Sequence, residues 1–254
     1  MSSKSKILGV IPARYESSRL PGKPMADICG KPMIQWVYES CIGCKELDDL
    51  VVATDSLEIY NCVISFGGKC IMTADSHKSG TARLCEVAEK FPEFEYYINI
   101  QGDQPFISHN TISEICSATL KMTDSASVMT LVCDITEDEE DDISIPKVVF
   151  DKNNRAIYFS RFPIPFIRAS GHYDISIFSK HLGIYGFNKN AIKIIKDLEV
   201  SYLEKAEKLE QLTWIYEGIP VYVSEGSDVA KISVDTIDDL MEAREIAKEK
   251  INCK

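Results

Sequence analysis

The chain has no run of about 18 apolar residues, so no transmembrane helix is expected. From Met1 a short polar stretch passes directly into Ile7–Ile11, an apolar run too brief for a signal peptide, and a cytoplasmic location is the expectation. Positive charge is in short supply. Lys and Arg number 28 against 39 Asp and Glu, for a net charge of −11, so there is no electrostatic reason to seek nucleic acid or anionic lipid. A small anionic substrate remains compatible, because a local cluster of basic residues can bind phosphate inside an acidic protein. The nine cysteines are odd in number and scattered through apolar segments, as reduced cytosolic thiols are. Cys41 and Cys44 make one CxxC with no second pair, and read as two small helix residues rather than a zinc or redox site. Two familiar phosphate signatures are missing: neither GxxxxGK[ST] nor GxGxxG follows the first strand, which disfavours a P-loop kinase and a Rossmann dehydrogenase. The acidic run Glu137–Asp142 lacks EF-hand spacing and its glycine, and is expected to be a solvated loop.

What is present is an alternation. Short apolar segments at Ile7–Ile11, Asp49–Thr54, Lys69–Thr73 and Tyr96–Ile100 read as strands. Helical spacing at Met33–Ile42, Ser56–Phe66 and Thr81–Lys90 separates them. This predicts βαβ units and a mostly parallel, Rossmann-like sheet in one domain over 1–254. From about 125 to 180 the texture changes to strands at Ser127–Cys133, Ile145–Phe150 and Ala156–Phe159, the expected small strand-rich insertion lobe. The pattern then resumes with strands at His181–Phe187, Val221–Val223 and Ala230–Val234, and helices at Ala191–Leu198, Leu209–Tyr216 and Ile237–Lys248.

Ligands of open parallel sheets bind beyond the C-terminal strand ends. The loop Pro12–Pro24 lies there, after the first strand. It carries Arg14, Arg19 and Lys23, with Ser17, Ser18 and Gly22 allowing close approach. Cationic donors and exposed amides in one loop suit a triphosphate. Lys31, in the second Gly-Lys-Pro, reads as structural. Asp103 and Asp235 each follow a strand, and two such carboxylates could hold Mg²⁺ together with substrate phosphates. Helix capping is the competing role for Asp235 and the preferred one for Asp55. His77, His109 and His172 read as surface or loop residues.

The segments IPARYESSRLPGKPMADICGKPMIQWVYE, VVATD, MTADSHKSGTARL, INIQGDQP, YFSRFPIPF, HLGIYGF, LEQL and SVDTIDDL occur in that order between Ile7 and Arg244. Collinear in this way, they resemble the 3-deoxy-manno-octulosonate cytidylyltransferases (CMP-Kdo synthetases). The resemblance implies a fold of the nucleotide-diphospho-sugar transferase type, CTP and an ulosonic acid sugar as substrates, Mg²⁺, and a homodimer, with 125–180 as the dimerisation lobe. It implies CMP transfer with release of pyrophosphate, and a product used for lipopolysaccharide synthesis. On this resemblance Arg14 and Lys23 fall in the triphosphate loop, with Ser17. Ser79, Gly80, Thr81 and Arg83 fall in the cytosine and substrate pocket, with Gln101 also at the substrate, and Asp103 and Asp235 are metal ligands. Arg161, His181, Tyr185, Glu210 and Gln211 fall in the sugar-acid pocket. There Arg161 could take the carboxylate bidentately, while Glu210, Gln211 and a histidine suit hydroxyls. Three positions depart from the family pattern. Ala82 stands for an Asp, Gln104 for a Glu and Thr213 for an Arg, which leaves the 8-amino analogue or another ulosonic acid as alternative substrates. A non-catalytic nucleotide-binding protein is the alternative from another class.

Overall fold

A computed structural model describes residues 5–16, 19–168, 174–226 and 232–252. The first half alternates as the sequence pattern predicts. Strand β1 (Ile7–Ala13) is followed by a two-residue hairpin, β2 (Asp27–Ile28) and β3 (Lys31–Pro32), and by helix α1 (Met33–Cys41). Then come β4 (Asp49–Thr54), α2 (Leu57–Ser65), β5 (Cys70–Met72), α3 (Gly80–Lys90), β6 (Tyr96–Asn99) and α4 (His109–Thr119). The second half holds β7 (Val128–Asp134), β8 (Lys147–Phe150), β9 (Ala156–Ser160) and β10 (Ser179–Asn188), then α5 (Lys189–Ile195), α6 (Tyr202–Glu207), α7 (Gln211–Tyr216), β11 (Val221–Glu225) and α8 (Ile237–Asn252).

The main sheet runs β11-β7-β10-β6-β1-β4-β5. Strand β10 is antiparallel to both neighbours, β6 and β7; the other pairings along this path are parallel. Strands in such a sheet are covered on both faces, which explains the unbroken apolar texture of ILGVI and LVVA. The core accordingly has one cluster on each face of the sheet, and a third, including Ile28, Met33, Phe106 and Leu240, gathers against α8. The cluster on one face includes Leu8, Val10, Leu84 and Phe187, that on the other Ile7, Ile11, Val52 and Ile98, so alternate residues of β1 serve opposite faces. Of the strand-rich segment, β7 lies inside the central sheet, while β8 and β9 form a hairpin joined to it through β8 and β10.

Three expectations are corrected. The strand expected at Ala230–Val234 is absent from its described part, Ile232–Val234. That segment is instead held by one backbone bond from Val234 N to the Asp103 carbonyl, 2.8 Å. Helix α4, capped by Ser108, was not anticipated, and neither was the short α6, capped by Ser201. Asp55 does not cap α2; Ser56 does, accepting from Ile59 N.

The fold positions the site by pressing two loops together. A Cβ on Gly102 would lie 2.7 Å from the Pro12 carbonyl oxygen, so only glycine lets the loop after β6 approach the loop after β1 this closely. Gly22, at φ 67°, makes the left-handed turn that presents Lys23 at the start of a short 3₁₀ turn.

Candidate active site

Lys23 Nζ sits between two carboxylates, 2.9 Å from Asp103 Oδ2 and 3.0 Å from Asp235 Oδ1. Arg19 reaches the other oxygen of Asp235 at 3.0 Å. Burial opposes the charge on Lys23, but Asp103 and then Asp235 outweigh it and raise the pKa of the ammonium. Asp235 is free for this role because Asp239 and Thr236 cap α8 reciprocally: Asp239 accepts from Thr236 N and donates its own N–H to Thr236 Oγ1. These groups border a chamber of about 330 Å³ whose wall also includes Arg14, Ser79, Gly80 and Arg83. Ser17 lies outside the described residues.

Arg83 is only 2% exposed. Its guanidinium donates to Asp55 at 2.5 Å, to Thr73 Oγ1 at 2.5 Å and to the Ala74 carbonyl at 3.2 Å, so it organises the strand ends of β4 and β5 around the chamber. Ser79 caps α3 by accepting from Ala82 N, and donates to Glu210 Oε2 at 3.3 Å. The positive end of α3 therefore begins at the chamber wall.

A second chamber, of about 530 Å³, opens beside the first and shares Gly80, Gln101, Asp103 and Glu210 with it. Gln101 donates to the Gly183 carbonyl at 2.8 Å, bracing the bulge of β10 between His181 and Tyr185. Tyr185 OH donates to Gln211 Oε1 at 2.9 Å. The Thr130 hydroxyl gives its one proton to the Ile184 carbonyl, so it accepts from His181 Nε2 at 2.8 Å. Burial lowers the pKa of His181 to about 3, and the ring is neutral at working pH. Burial also raises the pKa of Glu210, with Glu204 adding repulsion, while hydroxyls of Thr81 and Ser79 counter it. Two buried polar atoms of this wall, Asn99 Oδ1 and Gln211 Nε2, have no hydrogen-bond partner among the described residues.

The profile of the cytidylyltransferase family matches residues 8–229. Among curated proteins, the chain is 42% identical over 249 residues to a 3-deoxy-manno-octulosonate cytidylyltransferase of Parabacteroides distasonis, covering 94% of this chain and 96% of that one. The chain belongs to the 3-deoxy-manno-octulosonate cytidylyltransferase family. A member from Fusobacterium nucleatum is 43% identical over 247 residues, covering 96% and 98%. Among solved structures, CMP:2-keto-3-deoxy-manno-octonic acid synthetase complexed with CTP aligns at TM-score 0.90 and 39% identity, over 97% of this chain and 100% of that one. A 4-diphosphocytidyl-2C-methyl-D-erythritol synthase from Anaerococcus prevotii, at 14% identity and TM-score 0.64, shares the fold.

Of the residues that the family resemblance singles out, Arg14, Lys23, Ser79, Gly80, Arg83, Gln101, Asp103, Asp235, His181, Tyr185, Glu210 and Gln211 line the two chambers. Arg161 does not line either. Its guanidinium donates to the backbone carbonyls of Glu207 at 2.7 Å, Ile143 at 2.9 Å and Lys208 at 3.4 Å, so it ties the turn before Glu210 to the strand-rich segment. His77, read as a surface or loop residue, does lie in a loop, in the wall of the first chamber against Glu86; His172 lies outside the described residues. The acidic run is not simply solvated. Glu139 faces the second chamber and pairs with Lys180, and the Asp142 carbonyl accepts from the buried Lys147 at 2.7 Å. Sequence reasoning missed Asn99, Glu139 and Lys180. Only the position of Asn99 two residues before Gln101, and that of Lys180 beside His181, hinted at them. Of the three family departures, Gln104 lines the second chamber. Ala82 and Thr213 line a separate hollow of about 400 Å³ behind Glu210, where the Thr213 hydroxyl donates to Glu204 at 2.5 Å.

Proposed function

We propose that the protein transfers CMP from CTP to 3-deoxy-manno-octulosonate and releases pyrophosphate. The observation that carries this reading is the convergence of Lys23, Asp103 and Asp235 where a cation-lined chamber meets a chamber walled by buried polar side chains. The first chamber suits a triphosphate. The second suits a polyhydroxy acid, because Asn99, His181, Tyr185 and Gln211 in its wall bring mixed donors and acceptors. The activity for which the relatives are named, and the CTP complex of the similar synthetase, agree with this assignment.

In the reaction the anomeric hydroxyl of the sugar attacks the α-phosphorus. The new P–O bond forms as the α–β bridge breaks, pyrophosphate leaves with the bonding pair, and the hydroxyl proton passes to water. No covalent enzyme intermediate is required. Lys23, Arg14 and Arg19 neutralise the phosphate charge that shifts toward the leaving group. Gly80, Gln101 and Glu210, shared by both chambers, hold the two substrates in line.

Mg²⁺ fits this site by the nature of its donors. Two carboxylates from separate segments already converge on one ammonium, and no cluster of three or more metal-ligating side chains exists among the described residues. That is the pattern of a cation held by one or two carboxylates and completed by phosphates. Asp103 and Asp235 would hold the ion, and when bound it supplies Lewis-acid polarisation of the phosphate. A homodimer through the strand-rich segment is supported by its exposed Ile157, Phe162, Phe166 and Ile177. No helix among the described residues is long and apolar enough to cross a membrane; we place the enzyme in the cytoplasm, supplying lipopolysaccharide synthesis.

Pyrophosphate release from CTP and Mg²⁺, followed with the octulosonate and with its 8-amino analogue in parallel, tests the reading. Release with the octulosonate and formation of its CMP ester are expected. Release with neither acid overturns it.

A further inference from the structure

An ulosonate carries a carboxylate, and the expected receptor for it, Arg161, lines neither chamber and turns three of its donors to backbone carbonyls. The charge must therefore be met by another cation. Among the described residues, the second chamber is lined by two lysines, Lys180 and Lys208. Lys208 is exposed at the left-handed C-cap of α6, where water competes for its charge. Lys180 is different. It is 8% exposed, on β10 beside His181, so its ammonium acts where screening is weak.

An ammonium has three N–H donors. Lys180 uses one, on Glu139 Oε1 at 2.5 Å, and no other hydrogen-bond partner is found for it among the described residues. Glu139 is fixed from its other side, since Oε2 accepts from Thr136 N at 3.0 Å. A nine-tenths buried cation thus keeps two donors that the protein does not satisfy, in the wall of the chamber that awaits an acid. We propose that Lys180 receives the carboxylate of the sugar acid, with Glu139 orienting the ammonium and offsetting its charge until substrate enters. The inference rests on the function proposed above. It assigns to the acidic run 137–142 a part in sugar recognition, as the source of the counter-charge that substrate must outcompete.

Opposite effects of the two partners provide the test. Lys180→Met should raise the KM for the sugar acid about tenfold or more, the loss of one buried charge-assisted contact. The dissociation constant of CTP, titrated without sugar, should stay within about twofold. An analogue with the carboxylate replaced by a hydroxymethyl group, used as a competitive inhibitor, should bind wild type and Lys180→Met alike. Lys180→Arg should recover most of the KM. Glu139→Gln should lower the KM, because it removes the competing anion. Equal losses for the acid and the uncharged analogue in Lys180→Met would show that Lys180 merely builds the wall, and would overturn the proposal. So would a raised KM in Glu139→Gln, a variant that stays informative if Lys180→Met fails to fold. Wild-type enzyme that makes no CMP ester would refute the proposed function itself, whereas active wild type with an unchanged KM in Lys180→Met would refute this inference alone.

Discussion

The two chambers that meet at Asp103 are built by different physics. The first chamber, proposed for the nucleotide, draws much of its charge from one contiguous loop, Pro12–Pro24, and arranges it in ion pairs: Lys23 with Asp103 and Asp235, and Arg19 with Asp235. The second, proposed for the sugar acid, draws Asn99 from β6, His181 and Tyr185 from β10, and Glu210 and Gln211 from the start of α7. Apart from charged groups such as the Lys180–Glu139 pair, its wall is made of buried neutral polar side chains: Asn99, His181, Tyr185 and Gln211. Charge is strong at a distance and tolerant of geometry, which suits binding and neutralising a triphosphate. Buried hydrogen bonds are weak singly but exacting, which suits telling one sugar acid from another.

That contrast can be broken by experiment. The largest expected effect is on the nucleotide side. Arg83→Met leaves Asp55 with an unpaired carboxylate beside the chamber, and should cost about 3–5 kcal/mol of stability in denaturant melts, together with CTP affinity. A loss confined to sugar binding would contradict the division between chambers.

A smaller effect belongs to His181. Its folded pKa of about 3 lies below the ordinary 6.5, so its contribution is intact above pH 6.5 and drains away as pH falls toward 3. Between pH 6.5 and 5 this should cost about 2 kcal/mol. Glu86, which is held at about 2 by Lys90, Ala74 N and His77 against the effect of burial, keeps its contribution above its ordinary 4.5 and loses it only as pH falls from there toward 2, so it adds no slope of its own in that window. Thermal melts at both pH values should show the slope in wild type and a flatter one in His181→Asn; identical slopes would remove the buried neutral ring from the account.

The smallest effect is the most selective. Tyr185→Phe deletes one hydrogen bond, to Gln211, worth about 1 kcal/mol. Initial-rate kinetics should show the sugar-acid KM raised about fivefold with the CTP KM unchanged. A change in both would mean that the chambers are not energetically separable.

The same contrast explains what the sequence could disclose. Period and composition located β1, β4, β6 and α3, because strands covered on both faces must be apolar throughout. The phosphate loop was visible because its charges are neighbours in sequence. Helix α4 (His109–Thr119) was legible by the same signals, a capping Ser108 followed by Ile112, Ile115, Cys116 and Thr119 at helical spacing, and was overlooked. The sugar chamber came from family motifs alone, and there the limits show. No local pattern reports that Arg161 spends its guanidinium on carbonyls of Ile143, Glu207 and Lys208, since those partners lie 18 to 47 residues away. Nor does composition distinguish Glu139, turned toward Lys180, from its solvated neighbours in the acidic run. Asp55 was misread for a related reason: its partner Arg83 is 28 residues distant, whereas the helix it precedes is adjacent.

The central claim is that both chambers serve one reaction centre at Asp103. The most direct measurement is the rate of CMP-ester formation by Asp103→Asn beside wild type, with melting temperature and CTP binding recorded on the same samples. The account predicts a fall of at least about 100-fold in turnover with the fold intact, because an amide lacks the negative charge with which Asp103 is proposed to hold Mg²⁺ beside the phosphates. Near-normal turnover in Asp103→Asn would contradict it.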